Sequence, residues 1–503
     1  MADGKRIMKN TMFLYIRMLL VMGVTLFTSR VILDKLGIDD YGLYNVVGGV
    51  VGMLSFLTGT LSIGTSRFIT FELGTGNTDK LTRTFSTAFY THFILGVIIF
   101  LFMETVGLWF LYNKLVIPEP RFYACLWVFQ ISILTTFVSV TQVPYTSVIM
   151  AHERMGVYAY VSIFEVMAKL AVCYLISYSS FDRLIYYAVL IAVVQVIVAS
   201  IYRIYCVRKF KESLLSKIFD KSIFRKMLGF SGWNIMANLS ETFNQQGVLI
   251  MLNLFFTPAV VAAQAISVQV SNALMQFVNN FRTAINPQVI KLYASGQKEE
   301  SKKLTLRTMV YSFDLILLLG FPAILIMDYL MHLWLVEVPD YAVLFTQWVI
   351  VRRLIGTFSA SFYIPMMAAN KMEVNSVSAL VLCLLEFLIL YILFMLGFGP
   401  LWLQYVGLAN VFIFSFIVKP YVLCKDIGYT AMEIIRGVMI CLKVSFFSLL
   451  FTLPVFVVYD GNDFIHSIVK AVVSVVAVAV SSFVFMDKET KTKLFNLLKS
   501  KLR

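Results

Sequence analysis

Polar side chains recur at helical spacing inside apolar stretches of this chain. Residues 229–256 carry Asn234, Asn238, Glu241 and Gln245, at intervals of four, three and four. Residues 260–281 carry Gln269, Asn272, Gln276 and Asn279, at intervals of three, four and three. Such intervals put each set on one face of a helix. Two neighbouring helices with polar stripes of this length point to a water-filled central cavity. Interhelical bonding by amides is the competing explanation, but the stripes run too long for that alone.

Charged groups sit in similar places, where each costs roughly 2.5–3.5 kcal/mol at a bilayer centre unless it meets a cavity or a partner. Arg17 stands about two turns into the first apolar run, where it faces the cavity or snorkels to the surface. Arg352 and Arg353 lie in the run 344–369 and point about 100° apart. At most one faces a cavity squarely, and one pairs, with Glu386 or Asp314 as candidates. Either guanidinium fork suits a phosphate. Glu165 and Lys169, four residues apart, read as a mutually neutralising pair. A proton- or sodium-linked role for Glu165 is the sharper alternative. Glu386 has no lysine four residues on, which makes it, with Asp314, a further candidate for ion coupling. Lys443 and Lys470 read as snorkelling or paired.

The elements that must hold these groups are membrane helices. Hydrophobic residues make up 59% of the 503 and charged residues 14%, against about 25% charged in soluble domains. Mean hydropathy is +0.83. A bilayer core of ~30 Å needs about 20 helical residues. Fourteen apolar runs of that order appear: 11–29, 42–62, 84–112, 122–150, 158–178, 184–202, 229–256, 260–281, 309–331, 344–369, 376–397, 401–418, 438–459 and 464–486. They are too long and continuous for the strands of a β-barrel.

The net charge of +14 is an orientation signal and not a nucleic-acid footprint. With the N-terminus in the cytoplasm, cytoplasmic segments hold 31 Lys and Arg, outer segments 5 and spans 6. The positive-inside rule accepts this topology, with both termini cytoplasmic. Membrane lipids with anionic headgroups are the expected partner of the basic side. The longest outer segments, 30–41 and 332–343, leave no room for an outer catalytic domain. The connector 203–228 is basic and amphipathic. The tail 487–503, with Leu494, Phe495, Leu497, Leu498 and Leu502 among lysines, is expected on the inner membrane surface or as a solvated helix. The six cysteines have no paired or metal-ligand spacing.

The chain repeats itself. Gly76 and Gly296, each in a polar loop, are 220 residues apart; Pro144 and Pro365, and Glu165 and Glu386, are each 221 apart. Six spans per half make a parallel repeat, with a substrate site expected between the halves. The expected architecture is an all-α integral membrane protein. An N-terminal bundle (1–202) and a C-terminal bundle (229–423) are joined by 203–228 and followed by two appended spans (438–486). Gly48 and Gly52 form a GxxxG that permits close helix approach. Pro144 and Pro365 make bends plausible.

Walker, GxSxG and HExxH motifs are absent, and the four histidines lie in separate segments. The chain reads as a non-enzyme without a cofactor. Its energy would come from a proton or sodium gradient, or from the substrate's own gradient.

Three stretches carry a family likeness: TSRVILDKLGIDDYGLYNVVGGVVGMLSF with RFITFELGTGNTDKLTRTFSTAF, then PYTSVIMAHERM, then FRTAINPQVIKLYASGQKEESKKL. They resemble the bacterial polysaccharide (O-antigen) flippases of the multidrug/oligosaccharidyl-lipid/polysaccharide exporter superfamily, over essentially the whole chain. The resemblance implies a V-shaped pair of pseudo-symmetric six-helix bundles around a basic cavity, with two more helices. It implies export of undecaprenyl-diphosphate-linked oligosaccharide to the periplasmic face, alongside glycan polymerase or glycosyltransferase partners. It assigns the diphosphate or acidic sugars to arginines on the first spans, a placement that Arg17 matches and Arg30 and Arg67 match loosely. Spans 7 and 8 are neutral apart from Glu241, so the expected cavity suits a neutral glycan better. An ion-coupled drug exporter of the same fold and a membrane polymerase or ligase are the alternatives.

Overall fold

A computed structural model describes residues 2–152, 154–178, 181–216, 219–369, 371–458, 461, 463–487 and 490–492. The side chains of 2–17, 228–237 and a few scattered positions lie outside that description. All regular structure among the described residues is helical. The first half holds α1 (Ala2–Leu36), α2 (Ile38–Gly52), α3 (Ser55–Thr75) and α4 (Thr78–Phe102). A wide π-turn, Met103–Gly107, leads into α5 (Leu108–Asn113). Then come α6 (Phe122–Ala151), α7 (Met155–Leu175) and α8 (Arg183–Lys209). The second half opens with α9 (Lys221–Thr242), which passes through a π-turn into α10 (Val248–Phe255). It continues with α11 (Pro258–Ala294), α12 (Lys298–Leu325), α13 (Met327–Trp334), α14 (Ala342–Ser361), α15 (Tyr363–Ala368), α16 (Glu373–Met395) and α17 (Trp402–Ile413). Another π-turn precedes α18 (Lys419–Val422). The appended pair is α19 (Ala431–Val458) and α20 (Phe464–Phe485).

Among the described residues ten helical stretches are long and apolar enough to cross a bilayer, and up to 11 with the bent pair α2–α3 taken as one. The chain is therefore a multi-pass membrane protein. The bend is 53° and follows Gly52, where the missing side chain leaves the backbone free to turn.

The repeat is visible in the backbone. Gly76 ends α3 with φ 72° and Gly296 follows α11 with φ 81°. Both are left-handed helix ends that glycine adopts without strain. The π-turn of α4 and the break at Ile326 between α12 and α13 interrupt corresponding spans. Pro144 sits inside an unbroken α6, whereas α14 gives way to α15 three residues before Pro365.

In the first half α2, α3, α4 and α8 pack on α6, and α1 packs on α7. In the second, α12 and α14 pack on α11, α9 on α16, and α17 on α14; α19 and α20 pack on each other and on α12. The halves meet mainly through α2 against α11 and α3 against α9.

The expected connector 203–228 is mostly helix, because α8 runs on to Lys209 and α9 starts at Lys221. Buried Tyr202 and Cys206 extend the packed face of α8 beyond bilayer length. The segment between is docked on the first half. Ser216 N–H donates to Ser86 Oγ at 2.9 Å, and Asp220 N–H to Thr87 Oγ1 at 3.1 Å. His152 stacks on Phe210 at 4.1 Å and bonds Glu212 at 2.5 Å. Most of the tail 487–503 lies outside the described residues.

Candidate functional site

The seam between the halves is tight at the lysine-poor end, where the α1–α2 and α13–α14 connections lie. A Cβ on Gly42 of α2 would stand 2.0 Å from the Pro258 carbonyl oxygen at the start of α11. The two backbones touch there only because residue 42 has no side chain. Gly49 and Gly52 make room for Gln246, while a Cβ on Gly48 would meet nothing within 4 Å among the described residues. The expected Gly48–Gly52 pair is thus shifted in register. Asn253, fully buried, exchanges two hydrogen bonds with the backbone of Val116 (3.0 and 3.1 Å). Trp334 donates to the Leu26 carbonyl at 2.7 Å, and Arg30 to that of Leu333 at 3.2 Å.

Between α1, α2 and α11 the seam opens into a vestibule of 330 Å³. Its polar wall is Gln269, Asn272 and Gln276 on α11, Thr25 on α1, and Tyr41 and Asn45 on α2. Gln269 donates to Ser29 Oγ across the seam. Asn280 of α11 contacts Met18 Sδ of α1 nearer the lysine-rich end.

The opposite face of α11 lines a larger cavity of 670 Å³ inside the second half. Gln264, Val268, Met275, Asn279, Arg282 and Asn286 form that wall, at intervals of three, four or seven. Glu241 and Gln245 come from α9 and its π-turn, Arg352 and Arg353 from α14, Glu386 from α16 and Lys419 from α18. Arg352 Nη2 lies 3.9 Å from Glu386 Oε1. Glu386, 2% exposed, also accepts a bond from Asn410. Room for the Arg352 guanidinium comes from Gly407, where a Cβ would stand 2.4 Å from Arg352 Cζ. Arg353 Nε donates to Ser271 Oγ at 2.7 Å. Gln245 donates to Glu241 at 2.7 Å.

A third cavity, of 580 Å³, lies inside the first half. Glu165 and Lys169 line it, joined at 2.6 Å, together with Gln142, Ser162 and Tyr202.

The expected site residues therefore fall into separate places. Gln269, Asn272 and Gln276 share the vestibule. Glu241, Gln245, Arg352, Arg353 and Glu386 share the second-half cavity. Glu165 belongs to the first-half cavity. Arg30 is a seam contact, and Arg67 lies on an exposed face of α3. Asn238 lines none of these three cavities. Asp314 lies on α12, with Ser482 of the appended pair as its hydrogen-bond partner, and lines none of the three cavities. The side chains of Arg17 and Asn234 lie outside the described residues.

Two cavity residues lie just beyond the apolar runs 260–281 and 401–418. Arg282 and Lys419 are 6% and 4% exposed and both line the second-half cavity. They make the second-half cavity a charged one, where four cations face two carboxylates, whereas the seam vestibule has a neutral lining among the described residues. Arg282 continues the face of Asn279 three residues on, a signal that a span ending at 281 cuts off.

Residues 7–293 match the model of a family described as polysaccharide biosynthesis protein. No curated protein matches the chain in sequence. Among solved structures, the lipid II flippase MurJ in an inward closed conformation is 11% identical. The match covers 95% of this chain and 98% of that one, with TM-score 0.66. An inward-facing multidrug resistance MATE family transporter of the MOP superfamily is 13% identical, with coverage of 82% and 95% and TM-score 0.61. A MOP superfamily transporter from Pyrococcus furiosus is 14% identical, with coverage of 84% and 97% and TM-score 0.61. The fold is shared across these structures.

Proposed function

The chain belongs to the polysaccharide biosynthesis protein family, and from that premise we propose that it flips an undecaprenyl-diphosphate-linked oligosaccharide from the cytoplasmic to the periplasmic leaflet of the bacterial inner membrane. The observation that carries this reading is the amide-lined vestibule on the seam, beside a cation-rich cavity.

An oligosaccharide headgroup cannot cross hydrocarbon unaided, because each hydroxyl stripped of water without a partner costs several kcal/mol. Gln269, Asn272 and Gln276 offer donors and acceptors to replace that water. The lipid tail needs no such path and stays in the bilayer. Alternating access then requires the seam to open at one end while it closes at the other. In the orientation set by the lysines and arginines, the Gly42–Pro258 contact, the Asn253–Val116 pair and the Trp334 bond close the periplasmic end. The bend after Gly52 divides the seam helix into a periplasmic piece and a cytoplasmic piece. A proton or sodium gradient is the proposed driving force, with Glu386 the first candidate to sense it and Glu165 the second, because Glu386 is held more loosely by Arg352 at 3.9 Å than Glu165 is by Lys169 at 2.6 Å. Nothing in this scheme makes or breaks a covalent bond, so the protein acts as a transporter and not an enzyme, alongside glycosyltransferases and a glycan polymerase.

Deletion of the gene, followed by analysis of lipid-linked sugars, tests the reading. Accumulation on the cytoplasmic leaflet with loss of surface polysaccharide is expected. Drug sensitivity with normal polysaccharide would identify a drug exporter instead.

A further inference from the structure

Helix α2 packs on both halves of the chain, and its two faces are built differently. Gly42, Gly49 and Gly52, at intervals of seven and three, share the side toward the second half. Gly42 abuts the Pro258 backbone. A Cβ on Gly49 would stand 3.2 Å from Gln246 Oε1, and one on Gly52 3.3 Å from Gln246 Cδ. At those three positions the face is bare backbone, a smooth surface against α11 and Gln246. The bonds that cross the seam beside it, Asn253 with Val116 and Trp334 with Leu26, join uncharged groups.

The opposite face carries charge. Asp40 and Tyr44 are each about 200° of helix rotation from Gly42. Arg121, the residue ahead of α6, grips Asp40 with Nε at 2.8 Å and Nη2 at 2.5 Å. The same guanidinium reaches Asp182 with Nη1 at 2.5 Å and Nη2 at 3.2 Å. Asp182 in turn caps α8 by accepting from the N–H groups of Leu184 and Ile185. Tyr44 meets Tyr187 of α8 edge-on, with ring centroids 4.9 Å apart. A guanidinium forked between two carboxylates fixes direction as well as distance, and its bonds are roughly twice as strong as neutral ones. The Arg121 and Asp40 side chains are 27% and 17% exposed, so solvent screens the pair only in part.

We propose that Arg121 is a positioning residue for transport: it fastens the first turn of α2 to α6 and α8, so that the seam parts along the glycine face and α2 leaves α11 together with the first half. Naming that parting a gate rests on the transport reading; the fastening itself rests on the geometry. When the halves separate, the weaker of the two attachments of α2 yields. The glycine face has no side-chain bond to break at its three bare positions. Departure from the first half would break both bonds of the fork to Asp40 and the Tyr44–Tyr187 contact. Removal of Arg121 reverses the balance, because Asp40 and Asp182 then face each other as like charges and drive the start of α2 away from α8.

Distances between paired spin labels on the purified full-length protein test this with no substrate present, in a background without the native cysteines. Asp39, Glu119 and Thr257 are exposed and mark α2, the approach to α6 and the approach to α11. Gly42→Ala is expected to lengthen the distance from Asp39→Cys to Thr257→Cys and to leave that from Asp39→Cys to Glu119→Cys unchanged. Arg121→Met is expected to add a second, longer distance from Asp39→Cys to Glu119→Cys. Arg121→Lys keeps the charge and is expected to retain the single short one. If Arg121→Met does not fold, Asp40→Ala, which spares the Arg121–Asp182 pair, is read in its place with the same expectation. An unchanged distance to Glu119→Cys in the folded Arg121→Met or Asp40→Ala protein overturns the proposal. So does a Gly42→Ala protein in which α2 parts from Glu119→Cys and stays with Thr257→Cys. In flipping assays Arg121→Met is expected to slow transfer and Arg121→Lys to restore it; transfer by Arg121→Met at the wild-type rate would also overturn the proposal. The expected distances in a wild-type protein that fails to flip lipid-linked sugar would defeat the transport reading and leave the fastening standing.

Discussion

Gly42→Ala puts a methyl group into the closest backbone approach of the seam. The added Cβ would stand 2.0 Å from the Pro258 carbonyl oxygen and 2.7 Å from its carbon, where ordinary contacts begin at 3.4 Å. No side-chain rotation relieves this, because the opposing atoms are backbone. The starts of α2 and α11 must part by about 1.4 Å. Overpacking of this kind costs about 1–3 kcal/mol. The cost falls only on the arrangement in which the two helix starts touch. A difference of that size shifts a two-state equilibrium roughly 5–150-fold, here toward opening of the lysine-poor end. The assay is labelling of Asn272→Cys by a membrane-impermeant maleimide applied from the periplasmic side, in a background without the native cysteines. Labelling in the Gly42→Ala protein is expected to run about tenfold faster or more. Gly48→Ala is the control, whose added methyl meets nothing within 4 Å among the described residues and brings the same gain in helix propensity. Equal labelling rates in folded Gly42→Ala and Gly48→Ala proteins would refute the assignment of Gly42 and Pro258 to a gate.

Three further outcomes follow from the geometry. Glu386→Gln leaves the partly buried Arg352 without its counter-charge, and should destabilise the protein by about 1–3 kcal/mol in denaturation measurements, with partial recovery in Glu386→Gln/Arg352→Met. Gly407→Ala, which would push a methyl against the Arg352 guanidinium, should reduce glycan export in complementation tests while protein level in the membrane stays near wild type. Asp182, just ahead of α8, accepts bonds from Arg121 (2.5 and 3.2 Å) and from the N–H groups of Leu184 and Ile185. Burial raises its pKa, but these donors outweigh it and hold the carboxyl below the usual 3.8. A depressed carboxylate contributes stability above its unfolded pKa, and that contribution is lost as pH falls through the folded value. Asp182→Ala should therefore cost about 1–2 kcal/mol at pH 7, and the gap to wild type should close below about pH 4.

Much of the scaffold was legible before the fold was seen, because apolar run length and the repeat at offsets of 220 and 221 both follow from what a bilayer demands of a helix. Gly76 and Gly296 show this most directly, since the shared spacing turns out to be a shared left-handed turn. Glu165 with Lys169, and Arg352 with Glu386, were readable because a charge in an apolar run must find a partner. The site was less legible where helices outrun the membrane. Helix α11 is 37 residues long, so a span cut to bilayer length ends one residue before Arg282. Lys419 was lost in the same way, beyond a boundary drawn at 418. Gln269 and Asn279 looked like one stripe, but ten residues at about 100° each bring the second to within only about 80° of the first. That drift carries Asn279 from the vestibule to the cavity behind it. The glycine register of α2 was missed because the partners, Pro258 and Gln246, come from the other half of the chain.

The most direct measurement is translocation in proteoliposomes that carry a fluorescent undecaprenyl-diphosphate-linked oligosaccharide in one leaflet. An impermeant quencher reads how much of it reaches the other side. The account predicts time-dependent transfer with wild-type protein, above the level in protein-free vesicles and reduced by Gly407→Ala. Transfer equal to that of protein-free vesicles, with the protein folded and an ion gradient imposed, would contradict it.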